Sequence, residues 1–176
     1  LDANSRISLS NNDSGADNTI FGFDAGKLLT SGCNENVIIG DLAMDAADGT
    51  ESYNTAIGSS AMSGVDEVGY EANSNVAIGA NALIGGALGS SVFTGNIAIG
   101  VNAFNSTGTN PSTGQIAIGF AALTALTSGA GNTAVGYQCL DGTDDGASNT
   151  AVGYSALSAN CGDDNTAIGH SALLLT

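Results

Sequence analysis

The fold of this chain is decided by the stretch Asn132-Thr133-Ala134-Val135-Gly136-Tyr137-Gln138-Cys139-Leu140, because its pattern recurs along almost the whole sequence. The pattern is Asn, three residues that are mostly apolar or Thr, an anchor Gly, two variable residues, Ala and a larger apolar residue. Nine copies align on the anchor glycines Gly22, Gly40, Gly58, Gly79, Gly100, Gly119, Gly136, Gly153 and Gly169. Successive anchors are 18, 18, 21, 21, 19, 17, 17 and 16 residues apart. Such a period predicts a repeat architecture.

Two columns of the repeat carry a physical explanation of their own. Four residues before the anchor stands Asn, with Gln115 as the exception; the Asn residues are Asn18, Asn36, Asn54, Asn75, Asn96, Asn132, Asn149 and Asn165. Asn tolerates left-handed backbone, and stacked Asn side chains form ladders. The three residues after it predict a short strand, and the anchor Gly that ends the strand suits a positive φ or a close backbone approach.

A unit this short cannot bury its own apolar face, so the copies must stack on one another. The sequence therefore predicts an all-β fold, a parallel β-solenoid of about nine coils of 16–21 residues. A helical fold is excluded by the density of Gly and Asn and by the lack of a 3.6-residue period. We expect residues 1–17 to be a lead-in or cap and residues 18–176 to be one solenoid domain. Because the sequence ends in mid-coil on an apolar run, we expect a fragment of a longer fibre.

The predicted strands are apolar on both faces. The residue before the anchor is Phe, Ile or Val, and the central strand residue is Ile20, Ile38 and then Ala seven times. A strand that is apolar on both faces is buried on both. We expect the Ala face to be covered by another copy of the chain, which predicts an oligomer. The alternative is a thick coil whose own return segment covers both faces.

The charge balance excludes several functions. The 176 residues include 17 Asp and Glu but 2 Lys and Arg, for a net charge of −15. Two basic residues cannot neutralise a run of phosphates, which excludes nucleic-acid binding through the backbone and binding to anionic membrane surfaces. No run of 18 apolar residues occurs, so no membrane insertion is predicted.

The sequence predicts no enzyme and no catalytic residue. It contains one His and no paired carboxylates at fixed spacing, so nothing supplies acid–base or nucleophilic chemistry.

The residue after the anchor changes character along the chain. In the last four copies it bears a ring, and these residues are Phe120, Tyr137, Tyr154 and His170. We predict that they stack at coil spacing and form a platform for a saccharide or a peptide. The alternative is a stacking ladder that only stabilises the solenoid or packs at a subunit interface.

The acidic residues cluster in the variable return segments. The best candidate for Ca²⁺ binding is Asp141-Gly142-Thr143-Asp144-Asp145-Gly146, with Asp141, Asp144 and Asp145 as ligands. It lacks the length and the closing Glu of an EF-hand loop. The alternative is a solvated acidic rim that keeps the stacks soluble and apart. No other cofactor is expected.

Three cysteines give an odd number. Cys139 takes the place of Ala in its column, which predicts a small buried residue. Cys33 and Cys161 lie seven coils apart, so they cannot be bridged within one chain. Pairing between chains is left open.

Two stretches of the sequence resemble the head repeats of trimeric autotransporter adhesins. They are Asn54-Thr55-Ala56-Ile57-Gly58 and Gly131-Asn132-Thr133-Ala134-Val135-Gly136-Tyr137-Gln138. They resemble still more closely the related repeats of bacteriophage tail-fibre proteins, over about residues 4–176. The resemblance implies a left-handed parallel β-roll, a homotrimer around its axis, and a surface that binds a glycan or protein receptor of a host. It also implies a location outside the cell or on a virion. The coils here are longer and less uniform than those of adhesin heads.

Two functional classes remain. The first is a fibre or adhesin segment, viral or from a bacterial autotransporter head, that attaches to a host surface. The second is a structural spacer or self-assembling fibre without a ligand. The dissimilar returns after Met62 and Leu83 favour attachment. Ice binding through a Thr ladder is a third possibility, weakened because Val and Ile share the Thr column.

Overall fold

The architecture is all-β and parallel. A computed structural model describes residues 17–65, 72–85, 92–105, 112–143 and 145–174, which form a β-solenoid of about seven turns without a helix. The predicted fold class is thereby confirmed at the level of a parallel solenoid. Of the predicted lead-in, only residue 17 belongs to the described part.

Eleven strands lie in two parallel sheets. The main sheet contains, in spatial order, β1 (Thr19–Phe21), β2 (Val37–Ile39), β3 (Thr55–Ile57), β4 (Val76–Ile78), β6 (Ile97–Ile99), β8 (Ile116–Ile118), β9 (Thr133–Val135), β10 (Thr150–Val152) and β11 (Thr166–Ile168). A smaller sheet pairs β5 (Phe93–Thr94) with β7 (Ser112–Thr113). Each main-sheet strand occupies the three residues between Asn and the anchor Gly. Equivalent repeat positions face each other, as Ala77 faces Ala98, so every column of the repeat becomes a straight row across the sheet.

The Asn column forms the predicted ladder inside the solenoid. Asn75 is fully buried, and its Oδ1 accepts from the backbone N–H of Asn96 at 3.0 Å. Gln115 continues the ladder, because its backbone N–H donates to Asn96 Oδ1 at 2.9 Å and its Oε1 accepts from the N–H of Asn132 at 3.0 Å. The Asn residues of the column do not themselves adopt left-handed backbone. The preceding residue carries the positive φ instead, and these residues are Asp17, Glu35, Tyr53, Ser74, Gly95, Gly114, Gly131, Ser148 and Asp164.

The anchor glycines have both properties that the sequence suggested. Gly79 has φ +134°, and a Cβ added there would lie 2.5 Å from the carbonyl oxygen of Gly100 in the next coil. No side chain fits between coils that approach so closely. The corner continues with two more left-handed residues in the same coil, Asn81 at φ 56° and Leu83 at φ 55°.

The side of the main-sheet strands that faces the interior of the solenoid is the opposite of the predicted one. The central Ala of the strands, such as Ala77 and Ala98, is fully buried inside its own coil together with the larger residue of the corner, such as Leu83. The expectation that the Ala face meets another copy was therefore wrong. The first and third residues of each strand point outward, and Ile39 and Ile118 remain 37% and 36% exposed. The alternative of a return segment that covers both faces is excluded for the described residues. We call the first and third strand residues together the outer strand face.

Candidate functional site

The four predicted ring-bearing residues form one continuous stack, which we call the ring row. Ring centroids are 5.3 Å apart between Phe120 and Tyr137, 5.0 Å between Tyr137 and Tyr154, and 5.0 Å between Tyr154 and His170. The planes are within 10° of parallel. The spacing follows the separation of neighbouring strands, about 4.8 Å. The predicted stacking is confirmed, and the distances correspond to offset rather than face-to-face stacking.

Stacking does not bury the rings. Phe120, Tyr137 and Tyr154 are 45%, 41% and 50% exposed, and His170 at the end of the row is exposed as well. Phe23 occupies the same column near the start of the chain, but residues without rings separate it from the ring row. The row is therefore an accessible strip across β8 to β11.

The residues next to the ring row in sequence include no Asp, Glu, Lys or Arg. On the strand side its neighbours in sequence are aliphatic, and on the corner side they are Ala or polar. The strand-side residues are Ile118, Val135, Val152 and Ile168, and the corner-side residues are Ala121, Gln138, Ser155 and Ser171. In a chain of net charge −15, the rings thus have only uncharged residues directly before and after them in sequence.

The outer strand face is uncharged along all nine strands of the main sheet. Its first row is Thr19, Val37, Thr55, Val76, Ile97, Ile116, Thr133, Thr150 and Thr166, and its second row is Phe21, Ile39, Ile57, Ile78, Ile99, Ile118, Val135, Val152 and Ile168. From β4 to β8 both rows are aliphatic. From β9 onward Thr fills the first row, and the ring row runs beside the second. Sequence reasoning identified these columns but placed the wrong side of the strand on the surface.

The candidate Ca²⁺ ligands are only partly within the described residues, because residue 144 is not among them. Asp141 is half-buried and has one buried carboxylate oxygen without a hydrogen bond, whereas Asp145 is exposed. In the part of the chain that the structure describes, no three His, Cys, Asp or Glu side chains are grouped to hold a metal. The calcium assignment of Asp141, Asp144 and Asp145 therefore remains a prediction.

The cysteines are all free. Cys139 is buried as predicted, its Sγ donates to the carbonyl of Ala151 at 3.1 Å, and burial raises the pKa of its thiol. Cys33 is also buried, and its Sγ donates to Glu51 Oε2 at 3.1 Å. Burial raises the pKa of the Cys33 thiol, and the nearby Glu51 carboxylate adds to the rise.

Glu51 is a buried acid that sequence reasoning missed. Its side chain is fully buried, and besides Cys33 it accepts from the backbone N–H of Gly49 at 3.0 Å. Nothing in the repeat marks this position, because it lies in a variable return segment. Cys161, by contrast, is half-buried, with its Sγ 3.1 Å from the Thr143 hydroxyl.

The comparisons with known proteins identify no relative. No protein-family model, curated protein or solved structure matches the chain. The described residues contain no helix long and apolar enough to cross a membrane.

Proposed function

We propose that the chain is a non-enzymatic segment of an extracellular fibre, a phage tail fibre or a comparable appendage on a virion, that mediates attachment to a host surface. In this proposal it is a left-handed solenoid of nine coils, and three copies pack around a common axis through the outer strand face. The receptor is a glycan or protein of the host surface. The alternative origin is the head of a bacterial trimeric autotransporter adhesin, which has the same architecture.

The observation that carries the proposal is the outer strand face. Contiguous exposed apolar surface on a soluble protein marks an interaction site. The centres of protein interfaces are depleted of charged residues, and both rows of this face lack them although the chain has 17 acidic residues. The acidic residues lie elsewhere, so copies can meet through this face without placing like charges opposite each other.

The magnitude of apolar burial is of the same order as the cost of association. Complete burial of an exposed Ile or Val contributes about 1.5–3 kcal/mol, so a half-exposed one retains roughly 1 kcal/mol. Five of the nine second-row residues are less exposed than Ile118, so burial of this row contributes on the order of 5–10 kcal/mol per protomer. That is comparable to the cost of association, about 4–15 kcal/mol.

The test of the assembly is mass in solution by light scattering or native mass spectrometry. We expect three times the chain mass. We expect Ile99→Lys, in the centre of the outer strand face, to give the monomer, and Ser74→Lys, on the exposed column before Asn, to leave the mass unchanged. A monomeric wild-type protein would refute the trimer.

A structural spacer without a ligand is the second candidate function. It is favoured by the unbroken regularity of the Asn ladder and of the strand register, which are properties of a rigid rod. Binding to a panel of intact bacterial envelopes and to a glycan array separates the two candidates. We expect saturable binding by the attachment segment, whereas a spacer binds to none of them.

A further inference from the structure

We propose that the ring row binds a neutral, linear polysaccharide laid along the solenoid axis, so that successive sugars contact successive rings. This rests on the proposed attachment function and specifies the ligand class and the site. The row consists of Phe120, Tyr137, Tyr154 and His170.

The first argument is the chemistry of the surface. Aromatic rings offer apolar area, and Tyr adds a hydroxyl that forms hydrogen bonds. The faces of Tyr137 and Tyr154 are covered by neighbouring rings, so their exposed edges form the accessible surface. Sugars have apolar C–H faces and a rim of hydroxyls, so a sugar can pack against these edges while its hydroxyls stay in water. The corner-side residues Gln138 and Ser155 place further polar groups beside the rings.

The second argument is charge. The residues next to the ring row in sequence include no Lys or Arg, and the chain carries a net charge of −15. A polyanionic glycan would find no Lys or Arg partner there and would be repelled by the field of the whole chain. The ligand class is therefore neutral.

The third argument is that equivalent rings recur at nearly equal spacing along the site. The rings are related by translation, with centroid distances of 5.3, 5.0 and 5.0 Å along one straight row. No ring is enclosed, since Tyr137 and Tyr154 are 41% and 50% exposed. An open row of equivalent contacts gains affinity from a ligand that repeats as well, because each further sugar binds at a high effective concentration.

A polypeptide fits the row less well than a polysaccharide. A peptide laid along the axis crosses the strands, so it cannot add to the sheet, and its backbone N–H and C=O groups would lose water without regular partners. A polar group that loses its hydrogen bonds to water without gaining new ones weakens binding. A sugar chain keeps its polar groups at the solvent side and avoids this cost.

The test is affinity electrophoresis of the intact protein in native gels that contain hydroxyethyl cellulose, xylan, mannan or dextran, with alginate as the polyanion. We expect at least one neutral polymer, and not alginate, to retard the wild-type chain. Tyr is enriched among the few interface residues that carry most of the binding energy. We therefore expect Tyr154→Ala to weaken binding about tenfold, since tenfold corresponds to about 1.4 kcal/mol.

Tyr53→Ala is the matched control, because Tyr53 is 60% exposed but lies outside the ring row. It should bind as the wild type does, and Tyr154→Phe should retain most of the affinity. Solution mass and thermal unfolding of each variant check that the fold is kept. With soluble oligosaccharides of the retarding polymer, affinity should rise from two to four sugars.

Four results would overturn the proposal. They are no retardation by any neutral polymer, equal weakening by Tyr53→Ala, affinity that does not rise with ligand length, and ring-dependent binding of polylysine in place of a polysaccharide. Envelope binding that persists in Tyr154→Ala would leave the attachment function standing and remove the ring row from it.

Discussion

Removal of one amide from the Asn ladder should destabilise the solenoid strongly. The side chain of Asn75 is fully buried and makes four hydrogen bonds. Its Oδ1 accepts from Asn96 N and Nδ2 at 3.0 and 3.2 Å, and its Nδ2 donates to Asn54 Oδ1 at 3.1 Å and to the Phe93 carbonyl at 2.8 Å. Asn75→Ala leaves the buried Asn96 N–H and the Phe93 carbonyl without these partners.

Each buried polar group that loses its partner costs about 1–3 kcal/mol, so Asn75→Ala should lower the free energy of unfolding by about 2–6 kcal/mol. For a chain of this size 1 kcal/mol corresponds to roughly 2–4 °C in Tm. We expect a fall of at least about 4 °C in Tm. It is measured by circular dichroism at one fixed protein concentration, because association also shifts Tm.

Asn165→Ala is the control at the end of the same ladder. The Asn165 side chain is only half-buried, so water replaces its bonds to Asn149 Oδ1 and the Gly162 carbonyl. We expect a cost near 1 kcal/mol or less, the net value of an ordinary hydrogen bond. Equal shifts for Asn75→Ala and Asn165→Ala, or no shift for Asn75→Ala, would refute the view that the ladder stabilises the interior by satisfying buried polar groups.

Three further changes test other parts of the fold. Gly79→Ala should cost about 2–6 kcal/mol in chemical unfolding, from positive φ and overlap with the next coil, whereas Gly95→Ala, with open space around it, should cost only about 1–2. Gly26→Leu should destabilise the chain, and Ile20→Ala should offset part of that loss in a double-mutant cycle, because Ile20 Cδ1 lies 3.3 Å from a Cβ built at Gly26. Native Cys33 should resist iodoacetamide at pH 9, because burial raises its thiol pKa. The stability from that raised pKa is complete below the ordinary value and is lost as pH rises through the folded value. Rapid labelling of the folded protein, equal costs for the two Gly variants, or additive effects of the pair would contradict these expectations.

The columns of the repeat were predictable because each is a backbone requirement. Only Gly combines φ near +134° with the close approach seen at Gly79, and an Asn such as Asn96 both donates to and accepts from its neighbours in a stack. These requirements recur in every coil, so they leave a period in the sequence. The left-handed residue before Asn left no such mark, because Tyr53, Ser74 and Gly95 all adopt it.

The candidate site was predictable in part for the same reason. Tyr137 and Tyr154 share a column, and a parallel sheet in register must bring residues of one column together. Their function does not follow from that geometry, since a stack of rings can bind, stabilise or do both. Glu51 and its contact with Cys33 lie in the returns, where length and sequence vary and no period constrains the residues.

The inward face of the strand could have been identified from two departures that occur together. In the first coil the corner position filled elsewhere by Met, Leu or Phe is Gly26, and there the central strand residue is Ile20 instead of Ala. A Cβ at Gly26 would lie 2.7 Å from Leu29 Cδ1 and 3.3 Å from the Cδ1 atoms of both Ile20 and Ile38. The two central Ile side chains, together with Leu29, therefore occupy the space that a corner side chain fills in later coils. Close-packed interiors conserve volume across facing positions. When a larger side chain in the central strand column accompanies a smaller one at the corner, the two positions must face each other. The seven central Ala residues are therefore small because they lie inside the coil, opposite a large corner residue.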